Sequence, residues 1–589
     1  MLLALCNVAI AQSPAAIGYH VQLSDAHAHT LRVRVDLPPG AAQQEVQLPV
    51  WNALYQIRDF AQNVRGFHAH DAGGRSLPVE ALDKTTWRIG NAEQGAELEY
   101  EIHANLGGPY GAQFNQEHAF LNLGELLIYA IAARGQPVTL ELENVPKGWQ
   151  IATALARNQQ TAQSATFFAD SYDQLVDAPI ELGTFHQTSF VQDGANYQIV
   201  VDAAPGDYQM SSLSSLVGKI AAAEVSWMQD RPFASYLFIY HFPRQASGGG
   251  MEHANSCAIE LDAGQLASDP LDLESVTAHE FFHLWNVKRI RPASLEPIDY
   301  AHENYTRALW FSEGVTTTVA EIALRRAGLL SEQQFLQSLA REIRTLQLRP
   351  AHTWQSAEES SLDTWLERYP EYGSPERSIS YYNKGDLLGV LLDLEMRRVT
   401  HGKKCLRDLF QWMNQQYAMH HQYFPDSAGV RAAAEAVTGA DFSEFFDSYV
   451  SGVQELPYQQ LLATVGLRLL RHEVEIPDIG FDSVRNEGER PIVVAVVEGS
   501  DAAKAGISPG DTILKLNGKP AQQEIGVLLA SLHPGEVVRL QVAGLKGTHE
   551  LKLKLGVRQE EQVEIADLET ITSEQRARRG AWLVGEAEK

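Results

Sequence analysis

The sequence predicts a multidomain α+β protein, and three observations carry that prediction. Residues 18–165 alternate apolar and polar side chains with a period of two. Residues 166–455 carry long helical periodicities with one clear strand among them. Residues 460–557 return to short strands, before a charged stretch that ends the chain.

In the first region, Leu31-Arg32-Val33-Arg34-Val35 has the pattern of a half-buried strand, and Leu37-Pro38-Pro39-Gly40 is a turn signal. The expected product is an N-terminal β-sandwich-like domain over 12–165. The middle domain, 166–458, is expected to be mainly α, with helices near 213–228, 275–287, 307–327 and 384–399. Its strand, Tyr236-Leu237-Phe238-Ile239-Tyr240, leads into Gly248-Gly249-Gly250. The third domain, 459–560, is expected to be small and β-rich, with strands near 491–497 and 537–542. Residues 561–589 read as a charged tail with no need to pack.

At 589 residues the chain exceeds an ordinary domain, and about three or four are expected. Hydrophobic residues make up 44% and charged residues 21%, which is globular rather than disordered. Asp and Glu number 74 against 47 Lys and Arg, so the formal charge is −27. Such a chain is repelled by nucleic-acid phosphates and by anionic lipid, which excludes both as expected partners. Only Cys6, Cys257 and Cys405 occur, too few for a disulfide scaffold or a four-thiolate metal site. Any metal has to be held by His and carboxylate. The apolar start ends in Ala9-Ile10-Ala11, which resembles the end of a secretory signal, so residues 1–11 are expected to be its remnant. No later stretch reads as a membrane span.

His279-Glu280-Phe281-Phe282-His283 is the strongest local signal. Four residues apart on a helix, both imidazoles reach one ion, and Glu280 faces it as a candidate general base. A third ligand is needed, leaving one position for water, and Glu313 in Trp310-Phe311-Ser312-Glu313-Gly314 is the candidate. Gly250, Met251, Glu252 and His253 follow a strand and a glycine turn, where a carboxylate could bind a free α-ammonium. Tyr382 opens a later helix and could donate to an oxyanion. Each residue alone has a plainer reading: two core histidines, a solvated helical Glu313, an edge-strand Glu252, a packing Tyr382.

Taken together, HEFFHLWNVKRIRP (279–292), GGMEHANS (249–256), LWFSEG (309–314) and SYYNKGDLLGVLLDLEMR (380–397) resemble the bacterial glycyl aminopeptidase family. These are gluzincin zinc metallopeptidases related to the aminopeptidase N group. The resemblance implies a thermolysin-like catalytic domain, a C-terminal PDZ domain and export, to the periplasm of a Gram-negative bacterium. It implies one zinc ion on His279, His283 and Glu313, with Glu280 as base and Tyr382 at the transition state. It also implies that Glu252 binds the substrate amine, with His253 standing where the wider group has Asn. Preference for N-terminal Gly or Ala is implied too. Family members often carry two aromatics after the glutamate ligand, where this chain has Thr318 and Val319, and that departure bears on the preference.

Asp478-Ile479-Gly480-Phe481 has the form of a PDZ carboxylate loop, with Ile479, Gly480 and Phe481 presenting backbone N–H groups to a peptide C-terminus. Peptide substrates with a free N-terminus, and a peptide C-terminus at the PDZ domain, are the expected partners. Two other readings are a zinc endopeptidase of the same fold, and a PDZ-based binding protein with an inert peptidase domain. Blocking the substrate N-terminus separates the first, and chelator-sensitive turnover the second.

Overall fold

Alternation in strand Ile17–Asp25 buries Tyr19, Val21 and Leu23 while the intervening residues face outward. This computed structural model describes residues 17–588, save 53–54, 162, 245–247, 267–269, 367–374, 485–489, 522–524 and 546. The expected signal remnant, 1–11, lies outside the described residues. Strand Ile17–Asp25 pairs antiparallel with Thr30–Leu37 and parallel with Val138–Glu143, inside a seven-stranded sheet. Two four-stranded sheets complete the N-terminal β domain. The second of them includes Ile180–Gly183, which pairs with His118–Leu121, so sheet pairing carries this domain past residue 165 to Gly183.

The middle domain is built on a five-stranded sheet, in the order His186–Gln192, Ala195–Ala203, Ser235–Phe242, Ser256–Glu260, Gly249–Glu252. Helices Met210–Met228, Pro270–Phe282, Thr316–Arg326 and Tyr381–Thr400 accompany it. The expected helix over 275–287 closes early, at Phe282. Beyond it the backbone tightens, with Leu284 N–H donating to Phe281 O at 3.2 Å, and His283 sits in the turn. His283 N–H still donates to His279 O at 3.3 Å, so the four-residue spacing of the two rings survives. The expected helix over 307–327 is in two parts: a π-helical turn Trp310–Val315, then the α-helix.

Chain contacts divide the described residues into two units. One spans 17–335, 346–457 and 572–588, and the other is Leu336–Thr345 with Tyr458–Ile571. The second unit holds an antiparallel pair, Leu467–Asp478 with Gly556–Asp567, and a PDZ-type sheet around Val493, Ile513, Val538 and Leu540. Phe481–Val484 is the edge strand of that sheet.

The end of the chain does not behave as a free tail. Ser573–Trp582 is a helix, Trp582 and Leu583 are buried, and the segment packs within the first unit. The reading of 561–589 as a charged tail missed two apolar anchors, Trp582 and Leu583. Among the described residues, no helix is long and apolar enough to cross a membrane.

Candidate metal centre and substrate cleft

His279 leaves the last turn of helix Pro270–Phe282, and His283 follows in the turn beyond it. Glu313 comes from the π-helical turn, where the wider backbone spiral aims a side chain that a regular helix would place elsewhere. His279 Nε2 lies 3.4 Å and His283 Nε2 3.3 Å from Glu313 Oε2. Two donors about 2.0–2.1 Å from one tetrahedral ion stand about 3.3 Å apart, so the spacing fits a shared metal.

The tautomers agree with that reading. His283 Nδ1 lies 2.6 Å from the Asn286 carbonyl, which only an N–H can satisfy. His279 Nδ1 lies 3.2 Å from Thr317 Oγ1, whose own proton goes to Glu313 O at 3.3 Å. Both Nε2 lone pairs therefore point at a carboxylate, an arrangement that calls for a cation. Burial opposes a charged His283, yet the Glu313 carboxylate outweighs it and raises its pKa to about 10. That same pull would hold a metal. Burial also opposes ionised Glu313, but His283 and His279 keep it well below the usual carboxylate range.

Glu280 is 6% exposed, and its Oε2 has no hydrogen-bond partner among the described residues. Burial raises its pKa to about 8, which suits a group that takes and returns a proton near neutrality. Strand Gly249–Glu252 runs beside it. A Cβ on Gly250 would collide with the Glu280 carboxyl, so only glycine lets strand and carboxyl approach this closely. Carboxylate atoms of Glu252 and Glu280 and a ring nitrogen of His283 all lie within 4.8 Å of one another.

All these groups line one cavity of about 620 Å³, together with Trp51, Tyr55, Met251, Lys288 and Tyr382. The Tyr382 ring centroid is 6.1 Å from that of His279. The neighbouring Tyr381 is buried and takes a hydrogen bond from Thr364. Thr318 and Val319 are buried in helix packing, with Thr318 donating to Asp386, whereas Thr317, Ala320, Glu321 and Leu324 line the cavity. Thr318 and Val319 are therefore not among the side chains that set the shape of this wall.

Several organisers of the site carry no sequence signal of their own. Asp177 accepts from Lys288 Nζ at 2.8 Å, from Ala254 N–H at 2.9 Å and from His253 Nδ1 at 3.3 Å. Burial alone would raise its pKa, but Lys288 and His253 reverse that and hold it well below the ordinary range. His253 thus turns Nδ1 to Asp177, tying the Glu252 strand to the segment after the metal-ligand helix. Asn286 donates to Phe311 O at 2.9 Å and to Thr316 Oγ1 at 3.1 Å, tying that segment to the turn that bears Glu313. Cys257, opposite Glu252 in the strand register, is fully buried, and burial pushes its thiol up, so it is inert core.

In the second unit, Ile479 and Phe481 are buried in the core and Gly480 has φ of +78°. The Gly480 N–H is taken by Asp478 Oδ1 at 2.9 Å.

Fold and site define a metallopeptidase, of the aminopeptidase type. Family models match three segments: the M61 peptidase N-terminal domain over 18–184, M61 glycyl aminopeptidase over 272–388 and a PDZ domain over 492–544. The chain thus resembles the M61 glycyl aminopeptidases in order along its length. An aminopeptidase N family protein from Idiomarina loihiensis superposes with a TM-score of 0.82 at 25% identity, over 96% of this chain and all of that one. An M1 zinc metallopeptidase from Deinococcus radiodurans with a bound Tyr-Ser-Ala substrate is more distant. It has a TM-score of 0.47 and 12% identity, over 76% of this chain and 95% of its own. Among curated proteins, no relative matches the chain.

Proposed function

We propose that the protein is an exported zinc aminopeptidase that removes single N-terminal residues, Gly or Ala by preference, from peptides. The observation that carries this reading is the convergence of His279, His283 and Glu313 beside Glu280, whose Oε2 has no hydrogen-bond partner among the described residues, and a second carboxylate, Glu252, in one cavity. Two imidazoles and a carboxylate suit zinc, and one ion fits between them.

When bound, zinc supplies Lewis acidity and lowers the pKa of a water toward about 7. Glu280 takes the proton of the attacking water and later delivers it to the leaving amine. Its raised pKa makes both transfers accessible near neutrality. The Tyr382 hydroxyl donates to the oxyanion that forms on the scissile carbonyl. Glu252 accepts the α-ammonium. A carboxylate this close to the reacting carbonyl leaves space for one residue upstream of the cut, which makes the enzyme an exopeptidase. The edge strand Phe481–Val484 offers a peptide C-terminus a place to pair. The apolar run ending Ala9-Ile10-Ala11 supports export.

The test is hydrolysis of glycyl and alanyl anilides beside their N-acetylated twins, with and without a chelator. Cleavage of only the free-amine substrates, lost on chelation and restored by zinc, is the expected result. Equal cleavage of the acetylated twins would remove Glu252 as amine anchor and make the enzyme an endopeptidase.

A further inference from the structure

A second polar cluster lies away from the cleft, where the N-terminal domain meets the five-stranded sheet. Strand register builds it. His118 pairs with Gly183 and Phe120 with Glu181, so His118 and Glu181 share a face, and Gly183 leaves room beside the imidazole. Asp202 pairs with His241 on the facing sheet, so those two side chains share a face as well. The interface around them is otherwise apolar, with Phe120, Val200, Leu237 and Ile239 forming its core.

Glu181 is fully buried and His241 nearly so. His118 Nδ1 lies 3.2 Å from Glu181 Oε1 and 3.6 Å from Asp202 Oδ2, and His241 Nε2 lies 2.9 Å from Glu181 Oε2. His118 Nε2 is 2.9 Å from Gln113 Oε1, an acceptor, so the ring proton belongs on Nε2. The Nδ1 position then faces two carboxylates and calls for positive charge, either a ring proton, which burial opposes and Glu181 favours, or a bound cation. Charge-assisted N–H···O contacts run about 2.7–2.9 Å. The two contacts of His118 are longer and straddle the 3.3–3.4 Å of the His279, His283 and Glu313 set, the His241–Glu181 contact has hydrogen-bond length, and one ligand atom from each of His118, Glu181 and His241 lies within 4.8 Å of the others.

We propose that His118, Glu181 and His241, with Asp202 as a fourth ligand, form a second metal site. It takes a divalent ion of the zinc class and pins the N-terminal domain to the catalytic sheet. The donor set of two imidazoles and two carboxylates is of that class, and Gln113 acts as the outer partner that fixes the His118 tautomer. Asp202, 40% exposed along its side chain, gives the ion a way in.

The experiment counts zinc per chain in protein dialysed against zinc and then buffer. Two equivalents are expected in the wild-type protein, one in His279→Ala/His283→Ala and one in His118→Gln or Glu181→Gln. One equivalent in the wild type that disappears in His279→Ala/His283→Ala overturns the second site and leaves a protonated imidazole–carboxylate network there. One equivalent that survives His279→Ala/His283→Ala and is lost in His118→Gln supports it while sinking the catalytic reading. A readout that leaves the cluster unaltered is the absorption of Co²⁺ added to His279→Ala/His283→Ala. A four-coordinate d–d band is expected, and its absence overturns the proposal.

Discussion

Glu280 offers the cleanest substitution at the scale of one residue. Glu280→Gln keeps the shape of a buried side chain whose Oε2 has no partner among the described residues, but it cannot accept a proton. Turnover is expected to fall by about 10²–10⁴ with the metal count unchanged, as read by anilide kinetics beside elemental analysis. Asp177→Asn tests a different idea. Lys288 is half-buried and faces both Asp177 and Glu252. Freed from Asp177, its ammonium turns to Glu252 and competes with the substrate amine, so KM for free-amine substrates is expected to rise about tenfold while kcat changes less, a shift of about 1.4 kcal/mol in binding. The folded-state pKa of Asp177 is depressed, so its stabilisation is present above the ordinary carboxylate value of about 3.9 and is lost as pH falls below it. The gap in thermal stability between wild type and Asp177→Asn should be widest above about pH 5 and close below about pH 4. His279, Glu280 and His283 were legible in the sequence because their geometry is local to one helix and the turn after it. Asp177 was not, because its partners His253 and Lys288 stand 76 and 111 positions away.

Secondary elements meet here through glycines, and one such contact makes a prediction about the base. Gly250→Ala places a methyl group against the Glu280 carboxyl, and the base is the flexible partner that must yield. The variant is expected to fold and to hold its metal, yet to lose at least tenfold in kcat, since a misplaced base forfeits the geometry of proton transfer. A wild-type kcat would show that Glu280 is not held where this strand puts it. Gly314 and Gly385 bring the Glu313 turn and helix Tyr381–Thr400 together more closely still, backbone against backbone, leaving no side chain to give way. The helix periodicities near 213–228 and 384–399 predicted elements observed at Met210–Met228 and Tyr381–Thr400. The π-helical turn around Glu313 left no such mark. Its apolar residues satisfy a regular helix equally well, and Asn286 and the glycine contacts with the neighbouring helix hold the wider spiral.

For the whole molecule, the informative fact is that the chain returns to its first unit after the second one ends. The order of β, α and β regions was legible from periodicity alone, but the return was not, because polar and charged residues make up half of 573–588 and only the short apolar run around Trp582 and Leu583 announces a packed segment. Their contacts are specific. Trp227 Nε1 donates to Gly585 O at 2.9 Å, Arg326 to Val584 O at 2.8 Å and Arg397 to Glu586 O at 2.6 Å. Arg397 is fully buried, with Asp393 as its ion-pair partner. Helix Tyr381–Thr400, which carries both Tyr382 and Arg397, is thereby tied to the last residues of the chain. Deleting 572–589 strips Trp227 and Arg397 of buried acceptors and uncovers the apolar surface under Trp582. An unsatisfied buried polar group costs about 1–3 kcal/mol, and more when charged, so the loss should reach several kcal/mol. The expected outcome is a marked fall in the unfolding temperature of the first unit, seen by calorimetry, with activity lost in parallel on heating. If deletion left the unfolding temperature unchanged, the terminal segment would be a passenger on the surface rather than a component of the catalytic body.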